Sequence, residues 1–328
     1  MEAVWDIVSF LGKSLIFFVT FAACAGFFFS RMRGRKRQEP HVFLREVSQR
    51  WQRNAAAIKH ALARPKKTRF GRQKALPKEE PSTFTRRVFV IDFKGDVMAT
   101  GVESLREEVT AIVGIAETTD EVVLRLESPG GAVHSYGLAA SQLARLRDKN
   151  IPLTICVDKI AASGGYMMAC VGRQVVAAPF AVIGSIGVVA PVPNLHRLLE
   201  RHGIDYQDFT AGRYKRTVSL LGPITDEGRA KLKEQLEETH DLFKQFIHTM
   251  RPQLDVEAVA TGEHWYGTRA IELGLIDRLS TSDDYLLELA KEARVFEVEC
   301  ERPRSMRERA ASMASALFSS PFLSNSAS

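Results

Sequence analysis

From residue 85 onward, short and almost wholly apolar runs alternate with longer stretches in which apolar residues recur every three or four positions. The run 88–93, interrupted only by Asp92, reads as a buried strand. Leu105, Val109, Ile112 and Val113 then fall on one face of a helix over 103–117, with Ser104 near its start as a cap. The same rhythm continues with a strand at 122–126, a helix at 136–149, and strands at 153–157 and 174–178. Thr225-Asp-Glu opens a long helix over 225–250, which Pro252 ends. Two shorter strand–helix pieces follow, around 265–279 and 283–298. Alternating strands and helices predict an α/β fold on a mostly parallel sheet.

The first thirty residues follow a different pattern. Residues 7–29 are apolar apart from Lys13 and a few small polar positions, about the 20 residues that cross a hydrocarbon core of roughly 30 Å. A cleaved signal peptide fits less well, because the positive charges follow the apolar run instead of preceding it. Phe21-Ala-Ala-Cys24 faintly suggests a lipoprotein site, but the aromatics at 27–29 are the wrong context. Residues 1–30 are therefore read as one retained N-terminal transmembrane helix. A basic juxtamembrane region and linker follow over 31–84, with a short helix expected at 38–60 on Val42, Phe43, Val47 and Trp51. The Lys-, Arg- and Pro-rich stretch 64–81 reads as a flexible linker. The main domain is placed at 85–300, and the Ser- and Arg-rich tail 301–328 is expected to be disordered.

Charge sharpens this division. The 328-residue chain carries a net +6, but 31–78 alone holds sixteen Lys and Arg against Glu39 and Glu46, leaving the remainder at −8. A basic whole-chain balance thus gives no reason to expect nucleic acid as a partner, and no nucleic-acid fold signature accompanies it. The basic stretch is either a solvated linker or a contact to anionic lipid headgroups, worth about 1 kcal/mol per charge near the surface. Basic residues immediately after the apolar run favour the cytoplasmic side for the large domain by the positive-inside rule, and the sequence leaves its membrane face open. The four cysteines, Cys24, Cys156, Cys170 and Cys300, have neither metal spacing nor a disulfide-dense pattern. No His-Glu-x-x-His and no P-loop occurs, so no cofactor is expected.

The candidate chemistry centres on Ser163 in Ala-Ala-Ser-Gly-Gly-Tyr (161–166). A serine amid small residues after an apolar run suits an exposed nucleophile at a tight strand-to-helix turn, although Ser-Gly-Gly alone equally suits a plain helix start. Glycines at 164 and 165 leave room for a substrate carbonyl, and the Gly164 amide lies beside the serine oxygen as an oxyanion donor. Upstream, Ser128-Pro129-Gly130-Gly131 ends a strand and offers two more backbone amides to developing negative charge. Gly184-Ser185-Ile186-Gly187 and Gly-Arg-Tyr-Lys215 (212–215) complete the set. Serine needs a base, and lysine serves as one where its surroundings lower its pKa from about 10.4 to about 7–8. His134 and His196 are the histidines that a Ser-His alternative would call on; both read more simply as solvated or core residues.

These four pieces, in this order, resemble the signal peptide peptidase A family of Ser-Lys membrane serine peptidases, most closely its SohB branch. That branch also carries an N-terminal hydrophobic anchor and a basic region before its peptidase domain. The resemblance spans the chain to about residue 295. It implies a ClpP/crotonase-type superhelix of repeated βαβ units, with Ser163 as nucleophile and Lys215 as general base. It further implies that Ser185 orients the lysine amine and that the Gly130–Gly131 loop builds the oxyanion hole, with Gly131 favoured. The expected partners are hydrophobic peptide substrates such as cleaved signal peptides, the bilayer of the bacterial inner membrane, and further copies of the chain in a ring-like homo-oligomer. Dyad residues supplied by neighbouring subunits are compatible with this resemblance. Two other readings use the same residues: a membrane scaffold with a vestigial site, and crotonase-like acyl-CoA chemistry.

Overall fold

The computed structural model describes residues 40–62 and 84–301. The expected transmembrane helix, most of the linker and the tail lie outside the described residues. Among the described residues no helix is long and apolar enough to cross a membrane.

The order of elements is β1 (His41–Glu46), α1 (Ser48–Leu62), β2 (Arg87–Lys94), α2 (Val102–Ile115), β3 (Glu121–Glu127), α3 (Val133–Asp148), β4 (Leu153–Val157), β5 (Ile160–Ala162) and α4 (Gly164–Ala169). There follow β6 (Gln174–Ala177), β7 (Val182–Gly184), α5 (His196–Arg201), α6 (Asp226–Met250), α7 (Val256–Val259), β8 (His264–Tyr266), α8 (Gly267–Ala270), β9 (Arg278–Leu279), α9 (Ser282–Leu289) and β10 (Arg294–Glu301). A seven-stranded sheet runs β1-β10-β2-β3-β4-β6-β9. Its successive pairs from β10 to β9 are all parallel.

Strands of a parallel sheet covered on both faces read as continuous apolar runs, and β2 shows why. Phe89, Ile91 and Phe93 point into the larger core with Leu105, Val109 and Leu143. Val88 and Val90 join a second core on the other face with Val47, Tyr285 and Leu286. The long helix α6 begins at Thr225, whose hydroxyl accepts the Gly228 amide at 3.0 Å. Its far end is tied down by Arg251, which is 3% exposed. That guanidinium donates to both Asp277 oxygens, at 2.8 and 3.0 Å, and to the Gly274 carbonyl at 3.0 Å.

Several expectations need correction. Residues 41–46 form a strand on the edge of the sheet, beside β10, and the helix expected over 38–60 begins only at Ser48. Ser104 lies inside α2, whose N-cap is Gly101 without a side-chain hydrogen bond. His196, read as solvated or core, begins a helix of six residues, none of them buried. A second, three-stranded sheet, β5-β7-β8, has no counterpart in the sequence reading, because strands of three residues carry too few positions to show a period. Cys156 and Cys170 are buried free thiols, and Cys300 is buried as well. Burial pushes the Cys170 thiol up to about 12, so it packs as a small hydrophobe and not as a thiolate.

Glu108 gives the fold a pH dependence. It is 5% exposed on α2 and accepts the Cys300 amide at 2.9 Å. Desolvation raises its carboxyl from the ordinary 4.5 to about 7, despite that hydrogen bond. The unfolded chain therefore loses this proton near 4.5 while the folded one keeps it, so this group's contribution to stability falls as pH rises from about 4.5 to about 7. Glu108→Gln, which keeps the acceptor and removes the charge, is expected to stabilise the protein at pH 8 relative to pH 4. The gain is at most about 3 kcal/mol, read by urea denaturation at both pH values.

Candidate active site

Ser163 is the N-cap of the short helix α4, in a conformation few non-glycine residues adopt: φ 53°, ψ −118°. Holding a residue there costs on the order of 1–3 kcal/mol and persists only when the surroundings enforce it. The backbone around it does so. The Ser128 amide donates to the Ile160 carbonyl at 2.8 Å, and the Ala162 amide returns to the Ser128 carbonyl at 3.0 Å. The Ser163 amide then donates to the Gly184 carbonyl at 2.8 Å. The strand carrying the serine is thus wedged between the end of β3 and β7, which turns the chain sharply into α4.

The turn requires its glycines. A Cβ on Gly130, whose φ is +87°, would lie 2.7 Å from the Ala162 carbonyl oxygen and 2.8 Å from Ser163 Cβ. On Gly131 it would meet the Val97 carbonyl oxygen at 2.1 Å, and on Gly164 the Tyr136 ring at 2.4 Å. The Gly130–Gly131 loop is therefore packed directly on the serine turn. Within it the two amides differ. That of Gly130 donates to Ser128 Oγ at 3.1 Å. No hydrogen-bond partner occupies that of Gly131 or that of Gly164 among the described residues.

Ser163, Ser185, Gly130 and Gly131 line one open cavity of about 650 Å³. Ser185, like Ser163, has a left-handed φ of 53°, and its amide donates to the Glu263 carbonyl at 2.6 Å. The opposite wall belongs to α6, through Lys233, Leu236, Glu237 and His240. A small recess opens from Ser163 between Met167 and Phe243, closed by Val133, Val188 and Thr239. His240 Nε2 is buried without a hydrogen-bond partner among the described residues.

Lys215 is placed elsewhere. It is exposed, in the irregular segment between α5 and α6, and is not among the residues lining the cavity. Its neighbours Arg213 and Arg216 are paired with Glu227 and Asp208, at 2.8 and 2.6 Å. Lys215 itself has no ion pair among the described residues. The structure thus brings together Ser163, Ser185 and the glycines but not the lysine. Neither His134 nor His196 lines the cavity; His196 sits 3.3 Å from Glu200 on its own helix.

Sequence reasoning missed the α6 wall. Its members are spaced at i, i+3, i+4 and i+7 from 233 to 240, so a face was legible. Lys, Glu and His on that face read as solvated surface, and only the chain's return over the serine turn makes them cavity wall. Models of peptidase family S49 and of that family's N-terminal part match residues 145–296 and 2–143. The chain belongs to peptidase family S49. Two similar proteins are each described as a probable protease SohB. The one from Haemophilus influenzae is 58% identical over 219 residues, 67% of this chain and 62% of that protein. The one from Buchnera aphidicola subsp. Schlechtendalia chinensis is 58% identical over 200 residues, 61% of this chain and 66% of that one. The match thus spans less than two thirds of either relative's length. A solved structure of the 1510-N membrane-bound stomatin-specific protease with a substrate peptide aligns over 70% of this chain and 98% of its own, at TM-score 0.43 and 14% identity, too distant to bear on the site. The family found is the one to which the four motifs pointed.

Proposed function

We propose that this S49 chain is a membrane-anchored serine endopeptidase, with Ser163 as nucleophile and Lys215 as general base. The observation that carries the reading is the strained turn of Ser163, which puts its hydroxyl at a cavity bordered by the Gly130–Gly131 loop. Ser163 Oγ bonds to the scissile carbonyl carbon while its proton passes to the lysine amine. The carbonyl oxygen becomes an oxyanion, held by the amides of Gly131 and Gly164, the two that have no partner among the described residues. The intermediate collapses by expelling the amine, which takes the proton from the lysine, and leaves an acyl-enzyme. Water then attacks the ester by the same route, with Ser185 holding the lysine amine. The alternating strands and helices, with a second small sheet beside the serine turn, support the ClpP/crotonase-type superhelix as the framework.

Lys215, exposed and without an ion pair among the described residues, favours assembly in which a second copy of the chain completes the site. A lysine acts as a base only when desolvated or set beside another positive charge, and a neighbour's surface supplies the burial. The segment from Val188 to Gly222 also presents apolar side chains to solvent, Val189 at 85% and Phe209 at 89%, as a docking surface for such a copy would. A ring of anchored chains fits hydrophobic peptides in the membrane, cleaved signal peptides among them. The positive-inside rule favours a cytoplasmic domain. A second reading has one observation of its own: His240 lies at the same cavity with a buried nitrogen that has no hydrogen-bond partner among the described residues, and would make the base a histidine.

The test is fluorophosphonate labelling of the detergent-solubilised full chain, with Ser163→Ala as control. Covalent labelling that requires Ser163 supports the peptidase; an intact oligomer that takes no label overturns it in favour of a vestigial scaffold.

The recess beside Ser163 predicts a preference. Walled by Met167, Phe243 and Val188, it accepts small apolar side chains next to the scissile bond. Val188→Ala is expected to raise kcat/KM for a peptide with phenylalanine there, relative to alanine, by about tenfold, since a few methylenes in a pocket are worth about 1–3 kcal/mol. An unchanged ratio in paired fluorogenic peptides refutes the assignment.

A further inference from the structure

Beneath the glycine loop runs a chain of hydrogen bonds whose direction can be worked out. Tyr136 Oη donates to the Asp96 carbonyl at 2.8 Å, which uses its only proton. In the 2.6 Å contact between the Ser128 and Tyr136 hydroxyls, Ser128 therefore donates and Tyr136 accepts. Ser128 Oγ in turn accepts the Gly130 amide at 3.1 Å. The relay thus reads Gly130 amide, Ser128 hydroxyl, Tyr136 hydroxyl, Asp96 carbonyl, each donating to the next. Both side chains are wholly buried, so a broken link leaves a polar atom without water to replace its partner.

The relay is anchored and closely walled. The Asp96 carboxylate holds its own turn through the Thr100 amide and hydroxyl, at 2.9 and 2.6 Å. A Cβ at Gly95 would come within 2.4 Å of both relay hydroxyls. The Tyr136 ring also packs against Gly164, where a Cβ would lie 2.4 Å from Tyr136 Cγ. One side chain thus supports the glycine loop through its hydroxyl and the serine turn through its ring.

We infer that Ser128 and Tyr136 are positioning residues of the peptidase reaction, holding the Gly130 amide inward so that the Gly131 amide is the free donor at the cavity. The inference rests on the reading of Ser163 as nucleophile. In sequence the two residues sit eight apart and look like a strand end and a helix start; only the fold makes them one unit.

The test uses Tyr136→Phe, which removes the hydroxyl and keeps the ring, together with Ser128→Ala and the double variant. Each is made in the full chain in detergent and taken from the folded oligomer peak on size exclusion. Saturation kinetics with the fluorophosphonate probe separate the maximal inactivation rate from the probe concentration at half-saturation. Both single variants are expected to lose about 10- to 100-fold in the maximal rate, somewhat less than the roughly 10²–10³ lost with an oxyanion donor itself. Half-saturation should stay unchanged. Because the two act as one relay, the double variant should be no slower than the slower single. A wild-type maximal rate in both singles, or single effects that multiply in the double, overturns the inference while the nucleophile reading stands. Wild-type protein that takes no label, or Ser163→Ala that still does, overturns that reading and this inference with it.

Discussion

Ser163→Ala is expected to remove peptide hydrolysis and fluorophosphonate labelling together while leaving the fold in place. The side chain is half-buried and makes no hydrogen bond that the backbone needs: the turn is held by the Ser163 amide on the Gly184 carbonyl and by its carbonyl under the Met167 amide. Alanine still carries a Cβ at positive φ, so the backbone strain remains much as it was. The reaction, by contrast, loses the oxygen assigned to form the acyl-enzyme. Loss of a nucleophile in this kind of unit costs on the order of 10⁶ in kcat. The measurement is turnover of a hydrophobic fluorogenic peptide alongside a thermal melt. Retained turnover with an unchanged melt would remove Ser163 from the mechanism; a collapsed melt would mean that the hydroxyl supports the fold.

The second large effect concerns Lys215. Lys215→Ala is expected to lower labelling and turnover by at least about 10³-fold, as for the loss of a base that acts as one unit with its nucleophile. It should not change stability, because the side chain is exposed and has no ion pair among the described residues. The sharper expectation comes from mixing. If one subunit's lysine serves another's serine, Ser163→Ala and Lys215→Ala proteins, each inactive alone, regain part of the wild-type activity when co-assembled. The exposed position of Lys215, outside the cavity that holds Ser163, is what makes complementation the expected result. Verified co-assembly without recovery would place both groups within one subunit. Full activity in Lys215→Ala, with loss in His240→Ala, would move the base to α6.

Legibility in the sequence followed element length and the kind of contact. The strands β2, β3 and β4 were readable because both their faces are buried, and α6 because Thr225 and Pro252 flank a helix of twenty-five residues. β5 and β7, of three residues each, were not readable, although they shape the serine turn. β1 reads from sequence as the start of a helix, since Val42, Phe43 and Val47 suit either period; pairing beside β10 decides between them. The glycines were visible as a motif, but which amide is free was not. That depends on the Ser128 hydroxyl, which captures the Gly130 amide from beneath.

Local chemistry along the chain was enough for the α/β class, the nucleophile candidate and the family, because these rest on short-range patterns: apolar runs, small residues around a serine, glycines after a strand. Tertiary structure alone decided which groups share a cavity. It brought Ser185 and the α6 face to Ser163 across gaps of tens of residues, joined Ser128 to Tyr136, and left Lys215 facing solvent. Proximity between distant positions is a property of how the layers pack, and no spacing along one chain encodes it.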